Sequence, residues 1–327
     1  MKKTGNPTTP EEQAVEDALS AFQHLHGRPV HYEPAYPPIL FPMHLATDAG
    51  SFVVKAEDPV ETCFLKVFAG DMLEDINLEV AIEASQQAGD GNLAPRVLGS
   101  SIEVNAILFE LLESDWRPAL VPDLDDKDIR ANAIAAKRRW HENGKLDDVA
   151  SPIQIARKYM DRLDRGANDG AVIKKPRGYA TMVAWINRID EALGAAGIPS
   201  SALHMENAAS NVMIGPAKAV RLVDFDHVCL GDPMYDLGAF CQEFCQFDYQ
   251  LIEALEIYNG SYEEKLFNRC KIYMLVDDFL WGCWGKTSHF NSPRREAVEF
   301  YKYGEVRFTR CLHHINTWDI ETIARRI

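Results

Sequence analysis

The apolar residues of this chain change their period about a third of the way along, and that change restricts what the chain can fold into. Up to residue 112 they come in short runs rich in β-branched and aromatic side chains: SFVVKAE at 51–57, TCFLKVFA at 62–69 and NAILFELL at 105–112. EDPVE parts the first two runs as a turn between strands. EEQAVEDALSAFQHL sets Val15, Leu19, Phe22 and Leu25 at helical spacing, and a second helix over 73–89 puts Ile76, Val80, Ala84 and Gln87 on one face. Residues 1–10 read as a loose tail. Beyond LLESDWRP the pattern turns helical over 125–143, 152–165, 179–196, 249–286 and 294–325. Only 203–225 interrupts it, with two strands, NVMI and AVRLVDF, around a GPAK turn. The pattern specifies an α+β chain of two lobes with one cleft, 1–112 and 113–327, connected near Glu113–Arg117.

Charge narrows the partners. The 34 Lys+Arg against 49 Asp+Glu leave a formal net charge of −15, which disfavours nucleic acid and anionic membrane surfaces and suits a cationic small molecule. No apolar run has the length of a membrane span, and MKKTGNPTTPEEQ lacks the apolar stretch of a secretory signal. The seven cysteines are scattered without zinc-site spacing, and Cys241 and Cys245 share a helix face as small hydrophobes. A reduced, cytoplasmic protein is expected. Oligomeric state has no signal in the sequence.

Two stretches carry chemistry. ALHMENAASNVMIG at 202–215 contains His204, Glu206 and Asn211 as H-x-E-x-x-x-x-N, and DFDHVCLGDPMYDLGAF follows from Asp224. Phosphoryl transfer from ATP needs a lysine on the phosphates, a carboxylate to orient and deprotonate the attacking hydroxyl, and an asparagine and an aspartate for Mg²⁺. Lys66, between the apolar Leu65 and Val67, is the lysine candidate; Glu79 or Glu83 on the following helix, with Glu79 preferred, would clamp it. Glu206 is the candidate base, and Asn211 and Asp224 are the candidate metal ligands. Asp232-Pro233 opens a helix, with an N-cap acid before a first-turn proline. Asp236, one turn inside, is placed to accept backbone N–H groups of the loop, and His204 to pack and hydrogen-bond, both structural roles.

These residues, with LVDFDHVCLGDPMYDLGAFCQEF and the later DFLWGCWGK, resemble the aminoglycoside phosphotransferase/choline kinase superfamily, and within it the choline/ethanolamine kinases. The likeness runs over roughly 50–310 and is tightest from 202 to 245. It implies a protein-kinase-like fold with a small antiparallel-sheet, nucleotide-binding N-terminal lobe, a larger helical C-terminal lobe, and ATP and Mg²⁺ as cofactors. It further implies an ammonium pocket formed by Trp281 and Trp284 of W-G-x-W, Tyr303 in YKYGEVRF, and Glu243. Indole faces attract a cation by roughly 0.5–2 kcal/mol each, and tryptophans three apart on a helix can line one wall.

Three departures from the family pattern are visible. Glu206 stands where an aspartate is usual, its carboxylate about 1.5 Å farther from the backbone; a displacement of ~1 Å can cost about a hundredfold in rate. The nucleotide loop PPILFPMHLATDAGS has only Gly50 for turn freedom, with backbone donors expected from TDAGS. Asp226 stands where choline kinases carry glutamate, which makes it at most a shorter second metal contact. Three readings follow: a small-molecule kinase acting on an alcohol such as choline or ethanolamine, a weak or inactive relative that binds nucleotide or a cationic ligand, and an aminoglycoside-type phosphotransferase.

Overall fold

The computed structural model describes residues 1–35, 45, 49–147 and 149–327. In chain order the first elements are β1 (Lys2–Lys3), α1 (Pro10–Ala21), β2 (Val30–Pro34), β3 (Ala49–Ala56), β4 (Glu61–Phe68), α2 (Leu78–Asp90), β5 (Val97–Ser101), β6 (Ala106–Glu110) and β7 (Arg117–Pro118). Then come α3 (Lys127–Asn143), α4 (Pro152–Arg165), α5 (Tyr179–Ala196), β8 (Ser201–Leu203), β9 (Val212–Ile214), β10 (Val220–Leu222) and β11 (Cys229–Gly231). The chain closes with α6 (Pro233–Phe244), α7 (Asp248–Asn259), α8 (Glu264–Asn291), α9 (Phe300–Thr317) and α10 (Ile320–Arg325). This is the expected α+β class, with an antiparallel sheet and a helical part.

The described residues form two units. The first takes in 1–35, 49–119 and 210–228; the second takes in 45, 120–147, 149–209 and 229–327. The boundary expected at 112/113 differs from this because the β9–β10 hairpin returns to the first unit. There β9 pairs with β7, the Leu222 N–H donates to the Leu93 carbonyl at 2.8 Å, and Arg221 meets Glu110 at 3.0 Å.

In the first unit the sheet runs β1-β2-β3-β4-β6-β5, antiparallel throughout. Alternation along β3 and β4 turns Phe52, Val54, Cys63 and Leu65 inward, where Val15, Ala18 and Leu19 of α1 cover them. Burying each large apolar side chain is worth about 1.5–3 kcal/mol. The segment expected as a loose tail is tied at several points: Lys2 and Lys3 pair with Tyr32 and His31 as an edge strand, the Thr4 N–H donates to the Val30 carbonyl at 3.0 Å, and the Gly5 N–H donates to Glu16 at 2.7 Å.

In the second unit α8 is buried on nearly all sides and packs against α4, α6, α9 and α10. An all-round buried helix is a core element. The helix expected over 249–286 is two helices, because Gly260 takes the left-handed φ of 83° that ends α7. The stretch expected over 294–325 likewise divides into α9 and α10, with Asp319 capping the second through the Thr322 N–H. A side chain on Gly285 would meet the Gly304 nitrogen at 2.9 Å, so two glycines allow α8 and α9 to approach.

Candidate active site

In the first unit, β4 lies between β3 and β6, with Lys66 opposite Ser51 and Ile107. The flanking Leu65 and Val67 are buried, which holds the strand while the lysine points to the opposite face. Its Nζ donates to Asp224 Oδ1 and, at 2.5 Å, to Asp226 Oδ2. Both aspartates follow β10, and the buried Phe225 between them anchors the segment. Asp224 has a φ of 74°, a left-handed conformation that a residue other than glycine holds only when its surroundings impose it. The Val223 N–H bonds to the Asn211 carbonyl at 3.0 Å, and Asn211 Nδ2 lies 3.4 Å from Asp224 Oδ2.

Burial alone would push the Lys66 pKa down and the Asp224 pKa up. Their mutual attraction outweighs burial, so Lys66 is raised and Asp224 lowered, and both stay charged. Two carboxylates around a cation, with the Asn211 side-chain amide beside Asp224, offer the hard oxygen donors that Mg²⁺ takes. Asp224, Asp226 and Asn211 therefore fit that ion.

The second unit builds the loop around Glu206. Asp236, fully buried on the first turn of α6, accepts the N–H groups of His204 at 2.7 Å and Met205 at 3.0 Å, and Asn207 Nδ2 at 3.0 Å. His141 Nε2 lies 2.9 Å from the same carboxylate. Burial would raise the Asp236 pKa, but these donors and nearby cations hold it well below the ordinary carboxylate range. Met205 is bent to a φ of 68°, and on the far side of the loop the Ala209 N–H reaches Glu243 Oε2 at 3.2 Å. Glu206 is half-buried between these fixed points. Asp232 caps α6 through the Met234 N–H at 3.0 Å, with Pro233 as the first helical residue.

An aromatic cluster lies on α8 and α9. Trp281 and Trp284 are 7% and 3% exposed, with ring centroids 5.6 Å apart and nearly perpendicular. Trp284 meets Tyr303 edge-on at 5.8 Å, and Trp281 Nε1 donates to Asp277 at 3.1 Å. A protein cation already joins this group: the Arg307 guanidinium stands 5.1 Å from the Tyr303 ring and bonds Asp277 at 2.8 Å. Glu206 acts on Tyr303 through space and Glu243 on Arg307. Burial is the main cause that pushes the Tyr303 hydroxyl up.

The expected lysine clamp is not formed. Glu79 and Glu83 lie on the exposed face of α2, where Gln87 donates to Glu83 at 3.2 Å, and neither pairs with Lys66, whose carboxylate partners are Asp224 and Asp226. Together they line a surface depression of about 360 Å³ with Ser100, Ser101 and Glu103. Gly50 supplies no turn: it lies inside β3 opposite Val67, its φ is not positive, and a side chain there would meet the Phe52 ring at 3.0 Å. Thr47 and Asp48 of the expected TDAGS donors lie outside the described residues. Sequence reasoning missed Lys137, His141, Asn207, Asp277 and Arg307: Asn207 and Arg307 lie inside ALHMENAASNVMIG and YKYGEVRF without a spacing that marks them, and the other three lie outside the quoted stretches.

Residues 62–267 match the sequence pattern of the phosphotransferase enzyme family. An uncharacterized protein of Mycoplasma pneumoniae, the MG356 homolog, is 25% identical over 125 residues, which is 38% of this chain and 42% of that protein. A choline/ethanolamine kinase family protein from Mesorhizobium loti superposes with a TM-score of 0.74 at 20% identity, over 96% of this chain and 98% of that one. The choline kinase LicA from Streptococcus pneumoniae superposes at 0.72 and 17% identity, over 94% and 99%. LicA in complex with AMP superposes at 0.69. At these identities the likeness to the solved structures is one of fold.

Proposed function

Given that this chain belongs to the phosphotransferase enzyme family, we propose that it is an ATP- and Mg²⁺-dependent kinase that phosphorylates the hydroxyl of a small amino alcohol such as choline or ethanolamine. The observation that carries the reading is the convergence of Lys66, Asp224, Asp226 and Asn211. It assembles a phosphate-binding cation and an oxygen donor set from segments far apart in sequence. Mg²⁺, when bound, would neutralise charge on the phosphates.

The protein groups have separate tasks. Glu206 orients the acceptor hydroxyl and takes its proton as the hydroxyl oxygen bonds to the γ-phosphorus. The bond from that phosphorus to the β,γ-bridging oxygen breaks, and ADP leaves with the electron pair. Lys66 balances charge on the ATP phosphates. Asn211 and Asp224 would hold the metal, with Asp226 as a second carboxylate. An ammonium group on the acceptor is favoured by the Trp281, Trp284 and Tyr303 rings and by Glu243. Arg307 already lies beside Tyr303, so the acceptor cation competes with a fixed guanidinium and needs the carboxylates to win.

The test is ATP consumption with a panel of amino alcohols and aminoglycosides, beside thermal shift with ATP·Mg²⁺. Turnover of an amino alcohol supports the proposal, and turnover confined to an aminoglycoside overturns the substrate class. A second reading, a nucleotide- or cation-binding relative without catalysis, is favoured by Glu206 in place of aspartate. It predicts a thermal shift with no turnover.

A further inference from the structure

Lys137 lies on α3, outside every motif that marks the site, and is 2% exposed. A buried ammonium is costly unless a carboxylate meets it directly. Among the described residues no carboxylate lies within ion-pair distance of it. Its Nζ donates instead to Asn207 Oδ1 at 2.8 Å, lies 3.4 Å from His204 Nδ1, and stands 5.2 Å from the Phe240 ring centroid. Those two hydrogen-bond partners bracket Glu206 in the chain. Flexible lysines ordinarily extend their charge to solvent; this one is directed into the loop.

Charges from α6 and from the loop also act on Lys137 through space. Burial lowers the Lys137 pKa, while Asp236 and Cys241 from α6 and Glu206 from the loop oppose that change. Asp236 is already engaged by two backbone N–H groups, Asn207 and His141. Glu206 also acts through space on Tyr303, from α9.

We infer that Lys137 is the positioning residue of the catalytic loop: its ammonium fixes His204 and Asn207 on either side of Glu206 and keeps the Glu206 carboxylate ionised. The inference rests on Glu206 being the base proposed above. It accounts for how a glutamate can be used there. The longer side chain has one more rotatable bond than aspartate, and a fixed cation restrains where its charge settles.

The test titrates Glu206 directly, so it does not depend on turnover. Protein labelled with ¹³C at glutamate Cδ is followed by NMR from pH 3 to 9, with Glu206 assigned by its disappearance in Glu206→Gln. In Lys137→Met and Lys137→Gln the Glu206 midpoint should rise by about one pH unit. With ATP and an amino alcohol, the acid limb of kcat should move up by a similar amount while KM for ATP stays within about twofold. Lys137→Gln keeps a polar group for Asn207, so it serves if the methionine variant does not fold. An unchanged Glu206 midpoint in either folded variant overturns the inference, as does loss of the fold in both. A raised midpoint in a wild-type background without turnover supports Lys137 as the partner of Glu206 and overturns the kinase reading alone.

Discussion

Lys66 and Asp224 stand 158 residues apart in the chain and meet as a charge-assisted hydrogen bond, with Asp226 accepting from the same ammonium. The lysine side chain is 13% exposed and the Asp226 side chain 3%. Lysine in this arrangement does what a metal ion would also do, which is to let two carboxylates share a small volume.

Lys66→Ala should therefore be destabilised by about 3 kcal/mol, because the carboxylates lose the cation between them. Mg²⁺ should raise the melting temperature of the variant more than that of the wild type, since a bound ion restores the missing charge. Asp224→Ala should lose Mg²⁺-dependent nucleotide binding and at least ~100-fold in turnover, while its fold persists. Equal Mg²⁺ responses in wild type and Lys66→Ala would remove the metal from this site.

Glu79→Ala and Glu83→Ala should each change stability by less than ~0.5 kcal/mol and leave the Lys66-dependent Mg²⁺ response intact. Both are exposed on α2, and Lys66 is held elsewhere. Urea unfolding of the two variants with and without Mg²⁺ measures this directly.

Asp236 gives a pH signature. Its folded pKa is lowered, so its contribution to stability is fully present above the unfolded value of about 3.9 and is lost as pH falls below that value towards the folded pKa. Asp236→Asn removes the contribution at neutral pH. Melting temperatures from pH 7 to 2 should show the wild type falling more steeply below pH 4 than the variant. Parallel curves would mean that Asp236 does not provide the linkage.

The elements legible in the sequence are those specified by local periodicity. The β3–β4 hairpin follows from two apolar runs around a turn, and α5 occupies the expected 179–196, because nothing outside those segments is needed to specify them. Gly260 ends α7 inside a stretch whose apolar pattern runs on, so periodicity alone joined two helices. In the site, Asp232-Pro233 is a local signal and fixes where Asp236 falls on the first turn of α6. Which carboxylate meets Lys66 depends on the return of the β9–β10 hairpin to the sheet-bearing unit. Spacing within α2 could not reveal that. Lys137 and Arg307 were hidden for a similar reason, since their partners lie 70 and 30 residues away.

Trp284→Leu should raise KM for an amino alcohol by roughly tenfold or less, with KM for ATP unchanged. The cation–ring attraction at stake is roughly 0.5–2 kcal/mol. Because Trp284 is also packed against Phe300 and Tyr303, part of any effect is structural. Trp284→Phe, which keeps an aromatic ring, should lose less substrate affinity than the leucine variant. Steady-state kinetics on both, with a neutral alcohol of similar size as control, separates ring chemistry from packing. Equal losses for charged and neutral alcohols would remove the ammonium from this wall.

Glu206 provides the strongest test of catalysis. The loop that carries it is tied to Asp236 through residues 204, 205 and 207, and to Glu243 through 209, so its backbone cannot readily move to suit a shorter acid. If Glu206 is the base, Glu206→Gln should lose at least ~100-fold in kcat, because it keeps the size of the side chain and removes the charge that takes the proton. Glu206→Asp should lose activity as well, since its carboxylate falls about 1.5 Å short of the acceptor hydroxyl. A site in which catalysis has decayed behaves oppositely. Its wild type turns over no alcohol, and the aspartate variant, by restoring the residue usual in the family pattern, gains activity. Measuring ATP consumption for wild type and both variants on the amino-alcohol panel decides between them, and a more active Glu206→Asp would refute the assignment of Glu206 as a base in a loop built for its length.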